Sequence, residues 1–230
     1  EASGLYPRHL RCLIHGSLCR DQMEPATASS VHYEAGLPAG ALVLDVSNAC
    51  LGLLNGAMII ANMIELGQIR AGLVVGTETG RDLVEGTIDS LLRNPDVTRR
   101  DVKLAFASLT IGSGSAAMVL CDRKLSQTGN RLLGGAFLAD SESHHLWQGD
   151  SEIETHGDGR PRMFTDAESL LHAGIDLAEL TWETTKKTLN WTNDSPNKSF
   201  THQVGKAHKK LLYERLQLDP AIDYSTMEFL

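Results

Sequence analysis

Apolar residues occur in short continuous runs that are separated by longer stretches with helical spacing. Three runs have the length and composition of buried β-strands: 10–17, 41–46 and 72–77. The run at 41–46 is continuously apolar, which predicts a strand that is covered on both faces. Between it and the third run, apolar residues recur at helical spacing from Asn48 to Leu66, and Gly67 follows. The order strand, helix, strand predicts a βαβ unit in a parallel or mixed sheet.

The remaining pattern predicts further helices and strands but leaves one long stretch unassigned. Helices are predicted at 25–36, 166–189 and 206–216, and strands are predicted at 115–121, 199–203 and 225–230. The stretch 80–104 is charged and is predicted to be helical or irregular at the surface. The polar, glycine-rich stretch 122–160 has no clear periodicity. Neither end resembles a natural terminus, so we expect the sequence to be the middle of a longer protein or only its ordered part.

Composition and charge narrow the class of protein. The 230 residues are 42% hydrophobic and 22% charged, with a formal net charge of −8, which is typical of a globular protein and disfavours nucleic acid as a partner. No apolar run is long enough to cross a bilayer, and no signal peptide is recognisable. The four cysteines form no CxxC pair. Reduced thiols and a cytoplasmic location are therefore expected.

Two other features, a glycine-rich segment and several histidines, do not meet the requirements of a nucleotide site or a metal site. The segment GSGSAA at 112–117 has the outline of a dinucleotide-binding fingerprint, but a strand-like sequence follows where that fingerprint needs a helix. We interpret it as a tight turn. His144, His145 and His156 have no further ligands at metal-binding spacing, and His202 and His208 are six residues apart, which does not place them on one helical face. No metal site is predicted.

Cys50 lies where the predicted strand turns into the predicted helix. A free cysteine is most often a buried apolar side chain. In the first turn of a helix, however, unpaired amide groups and the positive end of the helix dipole favour a thiolate, which is the nucleophilic form. The neighbouring residues are small and would leave room for an acyl group: Ser47, Ala49 and Gly52. From the residues alone, both interpretations stay open.

Three longer segments carry a family resemblance that favours the nucleophile. The segment DVSNACLGLLNGAMIIANMIELGQIRAGLVVGTET resembles the nucleophile region of thiolase-like condensing enzymes, specifically β-ketoacyl-acyl carrier protein synthase III. LTIGSGSAAMVL resembles the glycine-rich segment of that family, and THQVGKAHKKLL resembles its His-Gln motif. The resemblance implies a thiolase-like α/β fold with layered helices and sheets. It implies two similar halves, at 1–121 and 122–230, each incomplete at its outer end.

Within this superfamily, CRDQMEPATAS at 19–29 resembles the segment of the head-to-head condensing enzyme OleA that carries a catalytic glutamate. The matching residue is Glu24, 26 positions before Cys50. The alternative for Glu24 is an exposed carboxylate near the start of a helix. The resemblance further implies that an asparagine of the family's site would follow Leu230.

The resemblance implies a role for each site residue. Cys50 would form an acyl-enzyme from a thioester, Glu24 would remove an α-proton from a second thioester, and His202 would donate a hydrogen bond to its carbonyl oxygen. Acyl-CoA, or else an acyl carrier protein, would supply the acyl groups, and no cofactor would be required. The family forms homodimers, in which Glu24 would act in the partner's site.

Three hypotheses about function stay open at this level. The first is non-decarboxylative Claisen condensation of two acyl thioesters, as in OleA. The second is the decarboxylative reaction of 3-oxoacyl-acyl carrier protein synthase III in fatty-acid synthesis. The third, from another class, is a non-catalytic scaffold with the same fold or a thioester hydrolase.

Overall fold

A computed structural model describes residues 3–20, 24–150 and 162–226 of the chain. Their contacts divide the chain into two compact units. The first unit comprises Glu1–Asp82 and Ile111–Asn130, and the second comprises Leu83–Thr110 and Arg131–Leu230. The two thiolase-like halves expected at 1–121 and 122–230 stay a prediction.

The first unit is built on a four-stranded mixed sheet. Its strands, in chain order, are β1 (Cys12–His15), β2 (Leu42–Asp45), β3 (Ala71–Glu78) and β4 (Gly114–Cys121). The spatial order is β2-β1-β3-β4; β1 runs parallel to β2 and β3, whereas β4 is antiparallel to β3. The predicted parallel or mixed sheet is confirmed.

Two sequence predictions about these strands have different outcomes. The prediction that the run at 41–46 is covered on both faces is wrong, because β2 is an edge strand of the described sheet and Leu42 is 49% exposed. The interpretation of GSGSAA at 112–117 as a tight turn is wrong in extent, because 114–117 already belong to β4. The segment thus continues as a strand and not as the helix that a dinucleotide-binding fingerprint needs.

Helix α1 (Thr27–Glu34) connects β1 with β2, and α2 (Gly52–Glu65) connects β2 with β3. A short 3-10 turn, Ala49–Leu51, precedes α2, so the helix predicted at 48–66 is confirmed with a tighter first turn. The apolar face of α2 packs against the sheet. The buried side chains of this core are Cys12, Ile14, Ala57, Ile60 and Val74. The burial of these side chains is the main stabilising contribution at the interface of helix and sheet.

The first residue of α2 lies against the backbone that leaves β1. A Cβ atom added to Gly16 would lie 2.5 Å from the carbonyl carbon and oxygen of Gly52. A Cβ added to Gly52 would lie 2.7 Å from the carbonyl oxygen of Gly16. One turn later, a Cβ on Gly56 would lie 2.7 Å from a methyl group of Val74. Glycine is therefore required on both sides of the contact that seats the start of α2.

The second unit contains most of α3 (Arg81–Arg93), then α4 (Arg99–Leu109), β5 (Trp147–Asp150), β6 (Arg162–Thr165), α5 (Ala167–Leu189) and α6 (Lys206–Leu216). Strands β5 and β6 form an antiparallel pair. Short 3-10 segments occur at Pro7–His9 in the first unit and at Glu142–Leu146 and Pro220–Ile222 in the second.

The predicted helices 166–189 and 206–216 are confirmed, as are helices within 80–104. The strand predicted at 199–203 is wrong in extent: among the described residues it is a single bridge between Ser199 and Asp223. Within the unassigned stretch, 122–150 contains β5, whereas 151–160 lies outside the described residues. Of the strand predicted at 225–230, Ser225 and Thr226 are irregular and 227–230 lie outside the described residues.

The contact between Gly16 and Gly52 predicts the effect of a methyl group at the start of α2. We expect Gly52→Ala to lower the free energy of unfolding by about 2–3 kcal/mol, because the added Cβ overlaps backbone atoms that cannot rotate away. Chemical denaturation measures this change.

The matched control is Gly174→Ala in α5. That glycine also lies within a helix, but an added Cβ there meets no atom within 4 Å. Its substitution should raise the free energy of unfolding by about 0.5–1 kcal/mol. Equal effects at the two positions would contradict the role of the close contact.

Candidate active site

Cys50 occupies the 3-10 turn between β2 and α2. Leu51 N–H donates to the carbonyl oxygen of Asn48 at 2.9 Å, and Gly52 N–H donates to that of Ala49. Asn48 Nδ2 also donates to Asn55 Oδ1 at 2.5 Å. Cys50 is exposed, whereas Cys12 in the core is fully buried. The interpretation of Cys50 as a core side chain is therefore wrong, and its predicted position at the start of a helix is right.

The residue before the cysteine has an unusual backbone conformation. Ala49 has φ +44°, in the left-handed region that residues other than glycine rarely adopt. Such a conformation costs on the order of 1–2 kcal/mol and persists only where surrounding contacts impose it. Here it turns the chain sharply between β2 and α2, and the cysteine follows directly. The strained residue directly precedes the one that the resemblance assigns as the nucleophile.

The surroundings of Cys50 favour the thiol over the thiolate. Although the residue as a whole is exposed, desolvation by the protein atoms around the sulfur is the largest cause that raises its pKa. The negative charge of Glu78 raises the pKa further, and a hydrogen bond from the backbone N–H of Cys50 itself opposes the shift. The expected thiolate at a helix start is thus wrong in direction. Reaction at neutral pH requires a group or a substrate that takes up the thiol proton.

Glu78 stands at the end of β3, and its carboxylate holds the chain that leaves β1. Oε1 accepts a hydrogen bond from Leu18 N–H at 2.8 Å, and Oε2 accepts one from Cys19 N–H at 3.1 Å. Cys19 and Thr79 contact each other through sulfur hydrogen bonds of 3.3 and 3.4 Å. This carboxylate therefore fixes the backbone that leads towards Glu24.

Glu24 is exposed and precedes α1 in the first unit. The start of α1 is bound to the end of β2, because Thr27 N–H and Ala28 N–H each donate to the carboxylate of Asp45 at 2.9 Å. Cys50 follows β2 in the same unit. Glu24 and Cys50 are thus carried by segments that meet at Asp45, and no hydrogen bond or ion pair joins the two side chains in the described part of the chain.

His202 belongs to the second unit and is exposed in the loop before α6. The next residue, Gln203, binds this loop to the segment that follows Asp223. Gln203 Oε1 accepts hydrogen bonds from Thr226 N–H at 2.9 Å and from Thr226 Oγ1 at 3.2 Å, and Gln203 Nε2 donates to Tyr224 O at 3.4 Å. The His-Gln pair therefore combines an exposed imidazole with an amide that holds its loop.

A buried carboxylate fastens the segment around Asp223, which follows α6, to that helix. Asp223 accepts a hydrogen bond from Tyr213 Oη at 2.8 Å and forms an ion pair with Lys209. Burial opposes ionisation of Asp223, but the hydrogen bonds and the charge of Lys209 outweigh it and lower its pKa. Within α6, burial and the charge of His202 lower the pKa of His208. Asp223 thus stays ionised and holds its own segment against α6.

The described residues contain no group of three or more His, Cys, Asp or Glu side chains that could hold a metal ion. His144 and His145 contact each other edge to face, with their Nδ1 atoms facing the carbonyl oxygens of Ser141 and Glu142. His156 lies outside the described residues. In the part of the chain that the structure describes, no helix is long and apolar enough to span a membrane.

Sequence reasoning missed two residues that organise this region, Asp45 and Glu78. Each is the polar residue that ends an apolar strand, and the carboxyl ends of the parallel strands β2 and β3 point to the same edge of the sheet. Ligand and catalytic groups commonly gather at such an edge. A charged residue at the end of an apolar run is the signal that could have identified them.

No protein-family model matches the chain. Among curated proteins, it is 38% identical over 231 aligned positions to an acyl-CoA:acyl-CoA alkyltransferase of Shewanella oneidensis, with 99% of this chain and 66% of the relative covered. It is 35% identical to the protein of the same name from Xanthomonas campestris, with 91% and 59% covered. The chain thus spans less than two thirds of the length of either relative.

Solved structures agree with these relatives. Xanthomonas campestris OleA with bound lauric acid and lauroyl-CoA superposes with a TM-score of 0.84 at 34% identity, covering 95% of this chain and 62% of that one. The synthase III, FabH, of Xanthomonas oryzae gives a TM-score of 0.86 at 34% identity, with 96% and 63% covered. The chain thus resembles condensing enzymes of the OleA and synthase III type in sequence and in fold. The predicted resemblance and the predicted thiolase-like fold are confirmed.

The OleA structures include variants substituted at a single cysteine, a single glutamate and a single histidine. The substituted glutamate and cysteine of that protein are 26 residues apart. Glu24 and Cys50 are separated by the same number of residues. This chain therefore has a glutamate and a cysteine at the same spacing as the two substituted residues of that protein.

The raised pKa of Cys50 predicts how its alkylation depends on pH. Since only the thiolate reacts, the rate of modification by iodoacetamide should rise about tenfold per pH unit from pH 7 to 8.5, without a plateau. Peptide mass spectrometry measures this rate at Cys50. A rate that is already constant above pH 7 would show a thiol whose pKa is lowered.

Glu78→Gln tests the cause of that shift. Removal of the negative charge should lower the pKa of Cys50 and speed its alkylation at pH 7.5. The control is Glu65→Gln, an exposed carboxylate at the other end of α2, which should leave the rate at Cys50 unchanged. No difference between these variants would exclude Glu78 as a cause.

Proposed function

We propose that the protein condenses two acyl-CoA molecules without decarboxylation, as a member of the OleA group. The observation that carries this proposal is the combination of Cys50 and Glu24, because a glutamate at that spacing supplies a base that decarboxylative chemistry does not need. The similarity to two proteins named acyl-CoA:acyl-CoA alkyltransferase supports the same activity. The exposed cysteine in a strained turn agrees with it.

The first half of the reaction is transfer of an acyl group to Cys50. Sγ attacks the carbonyl carbon of the thioester, a new carbon–sulfur bond forms, and the bond to the sulfur of CoA breaks. CoA leaves as its thiol and takes the proton that Cys50 loses. Because the protein raises the pKa of Cys50, this coupled proton transfer matters more here than it would for a preformed thiolate.

The second half is formation of a carbon–carbon bond. The carboxylate of Glu24 removes an α-proton from a second acyl-CoA and produces an enolate. His202 donates a hydrogen bond to the thioester oxygen, on which negative charge develops. The enolate carbon attacks the acyl-Cys50 carbonyl, and the bond to Sγ breaks. The product is a β-keto thioester, which hydrolysis converts to a β-keto acid, and the proton on Glu24 returns to the thiolate.

We propose further that the active protein is a homodimer in the cytoplasm and that it uses no cofactor or metal. The four cysteines are all free, which agrees with a reducing compartment. The net charge of −8 favours CoA over an acidic carrier protein as the acyl donor.

Decarboxylative condensation is the second candidate. It is favoured by the structural similarity to the synthase III of Xanthomonas oryzae and by 28% identity to a β-ketoacyl-acyl carrier protein synthase III of Rhodospirillum centenum over 79% of this chain. That chemistry generates the carbanion by loss of carbon dioxide from a malonyl group. It assigns no proton transfer to Glu24, and this separates it from the first candidate.

The experiment that tests the proposal supplies the full-length protein with myristoyl-CoA alone. A β-keto product with two myristoyl chains is expected from the wild type. Glu24→Ala should reduce its formation about 10²-fold or more while Cys50 still becomes acylated. Mass spectrometry of product and protein measures both steps.

The variant Glu34→Ala is the matched control, since Glu34 is an exposed carboxylate at the other end of α1. It should retain wild-type product formation. Product that appears only after addition of malonyl-acyl carrier protein would support the second candidate. Free myristic acid as the sole product would indicate a hydrolase, and an unmodified Cys50 would indicate a scaffold.

Mixing two inactive variants tests the sharing of residues between subunits. If Glu24 acts in the partner's site, heterodimers of Glu24→Ala with Cys50→Ala contain one complete site and recover activity. With random reassortment, about half of the dimers are heterodimers of this kind, and about a quarter of the wild-type rate is expected. No recovery after verified subunit exchange would place both residues in one protomer's site.

A further inference from the structure

Helix α1 begins at a carboxylate that is distant in sequence. Its N-cap residue, Ala26, has no side-chain oxygen, and no acidic residue lies in the first turn. Asp45, at the end of β2, takes the place of a local cap. Its Oδ2 accepts a hydrogen bond from Thr27 N–H and its Oδ1 accepts one from Ala28 N–H, both at 2.9 Å. The start of α1 is therefore fixed by the sheet rather than by its own sequence.

Burial of the Asp45 carboxylate costs free energy of hydration unless hydrogen bonds compensate for it. Its side chain is only 7% exposed, and carboxylates are rarely buried without partners. Beside it, the buried His15 places Nδ1 3.8 Å from Oδ1, beyond hydrogen-bond distance, and that nitrogen has no hydrogen-bond partner among the described residues. The two hydrogen bonds that satisfy Asp45 are thus those to α1.

Glu24 lies three residues before Thr27, which is the first residue whose amide binds Asp45. On the other side, Glu78 holds the backbone at Leu18 and Cys19, as described above. Glu24 therefore lies between two points at which a carboxylate binds the backbone. Before it, Glu78 accepts two amide hydrogen bonds, and after it, Asp45 accepts two. Of the two, Asp45 is the cleaner one to test, because the charge of Glu78 also acts on Cys50.

We propose that Asp45 is a positioning residue for Glu24: by accepting both amide hydrogen bonds at the start of α1, it sets where the glutamate carboxylate is held. This inference rests on the proposed function, in which Glu24 is the base. Misplacement of a reacting group by about 1 Å can cost about 10²-fold in rate. Loss of Asp45 should therefore impair proton abstraction and leave the acylation of Cys50 intact.

The experiment compares Asp45→Ala and Asp45→Asn in the full-length protein with myristoyl-CoA. In Asp45→Ala, condensation should fall about 10²-fold, while the rate of Cys50 acylation stays within about twofold. Asp45→Asn should fall less, since its amide oxygen still accepts one of the two hydrogen bonds. The control, Asp101→Ala, removes a carboxylate that accepts a backbone amide at the start of α4 and should alter neither rate.

Amide hydrogen exchange tests the structural part independently of activity. In Asp45→Ala, exchange at Thr27 and Ala28 should be about tenfold faster or more, with unchanged exchange in β1 and β3. Unchanged exchange at the two amides, or a parallel loss of acylation and condensation, would overturn the role of Asp45. Failure of the proposed function has a different signature: wild type would make no product from myristoyl-CoA alone, whereas the exchange result would stand.

Discussion

The close approach of Gly52 to Gly16 is the constraint on which the candidate site depends. Two backbones touch where α2 meets the end of β1, and an added Cβ on either residue would overlap the other chain segment. This contact fixes the start of α2 relative to the sheet. Between β2 and this fixed point the chain makes a tight turn, in which Ala49 lies in the left-handed region and Cys50 is exposed. The apolar core beneath α2 stabilises the arrangement.

The surroundings of Cys50 raise its pKa, whereas its position at the start of a helix alone predicts a lower one. Amide groups at the beginning of a helix favour a thiolate, but desolvation and the charge of Glu78 outweigh them at Cys50. The same carboxylate holds two backbone amides after β1, as Asp45 holds two at the start of α1. Glu78 thus both orders the backbone after β1 and adds to the raised pKa of Cys50. In the proposed reaction, proton transfer accompanies sulfur attack.

The elements that local pattern determines could be predicted from the sequence, whereas features set by tertiary contacts could not. The helix 206–216 and the strand before Cys50 follow from apolar spacing and from Gly and Pro positions. The exposure of Leu42 could not be predicted, because an apolar run does not reveal whether its strand lies at an edge. The partners of Asp45 are 17 and 18 residues away, and no periodicity encodes such a contact. The roles of Cys50, Glu24 and His202 came from resemblance, and they stay predictions.

The most direct test of the account is intact-protein and peptide mass spectrometry of the full-length protein after brief exposure to a long-chain acyl-CoA. If Cys50, which is exposed in the turn 49–51, is the nucleophile, one added acyl group per chain is expected on the peptide that contains Cys50. Cys12, Cys19 and Cys121 should remain unmodified. No acyl adduct, or an adduct distributed over several cysteines, would contradict a nucleophile built by this turn.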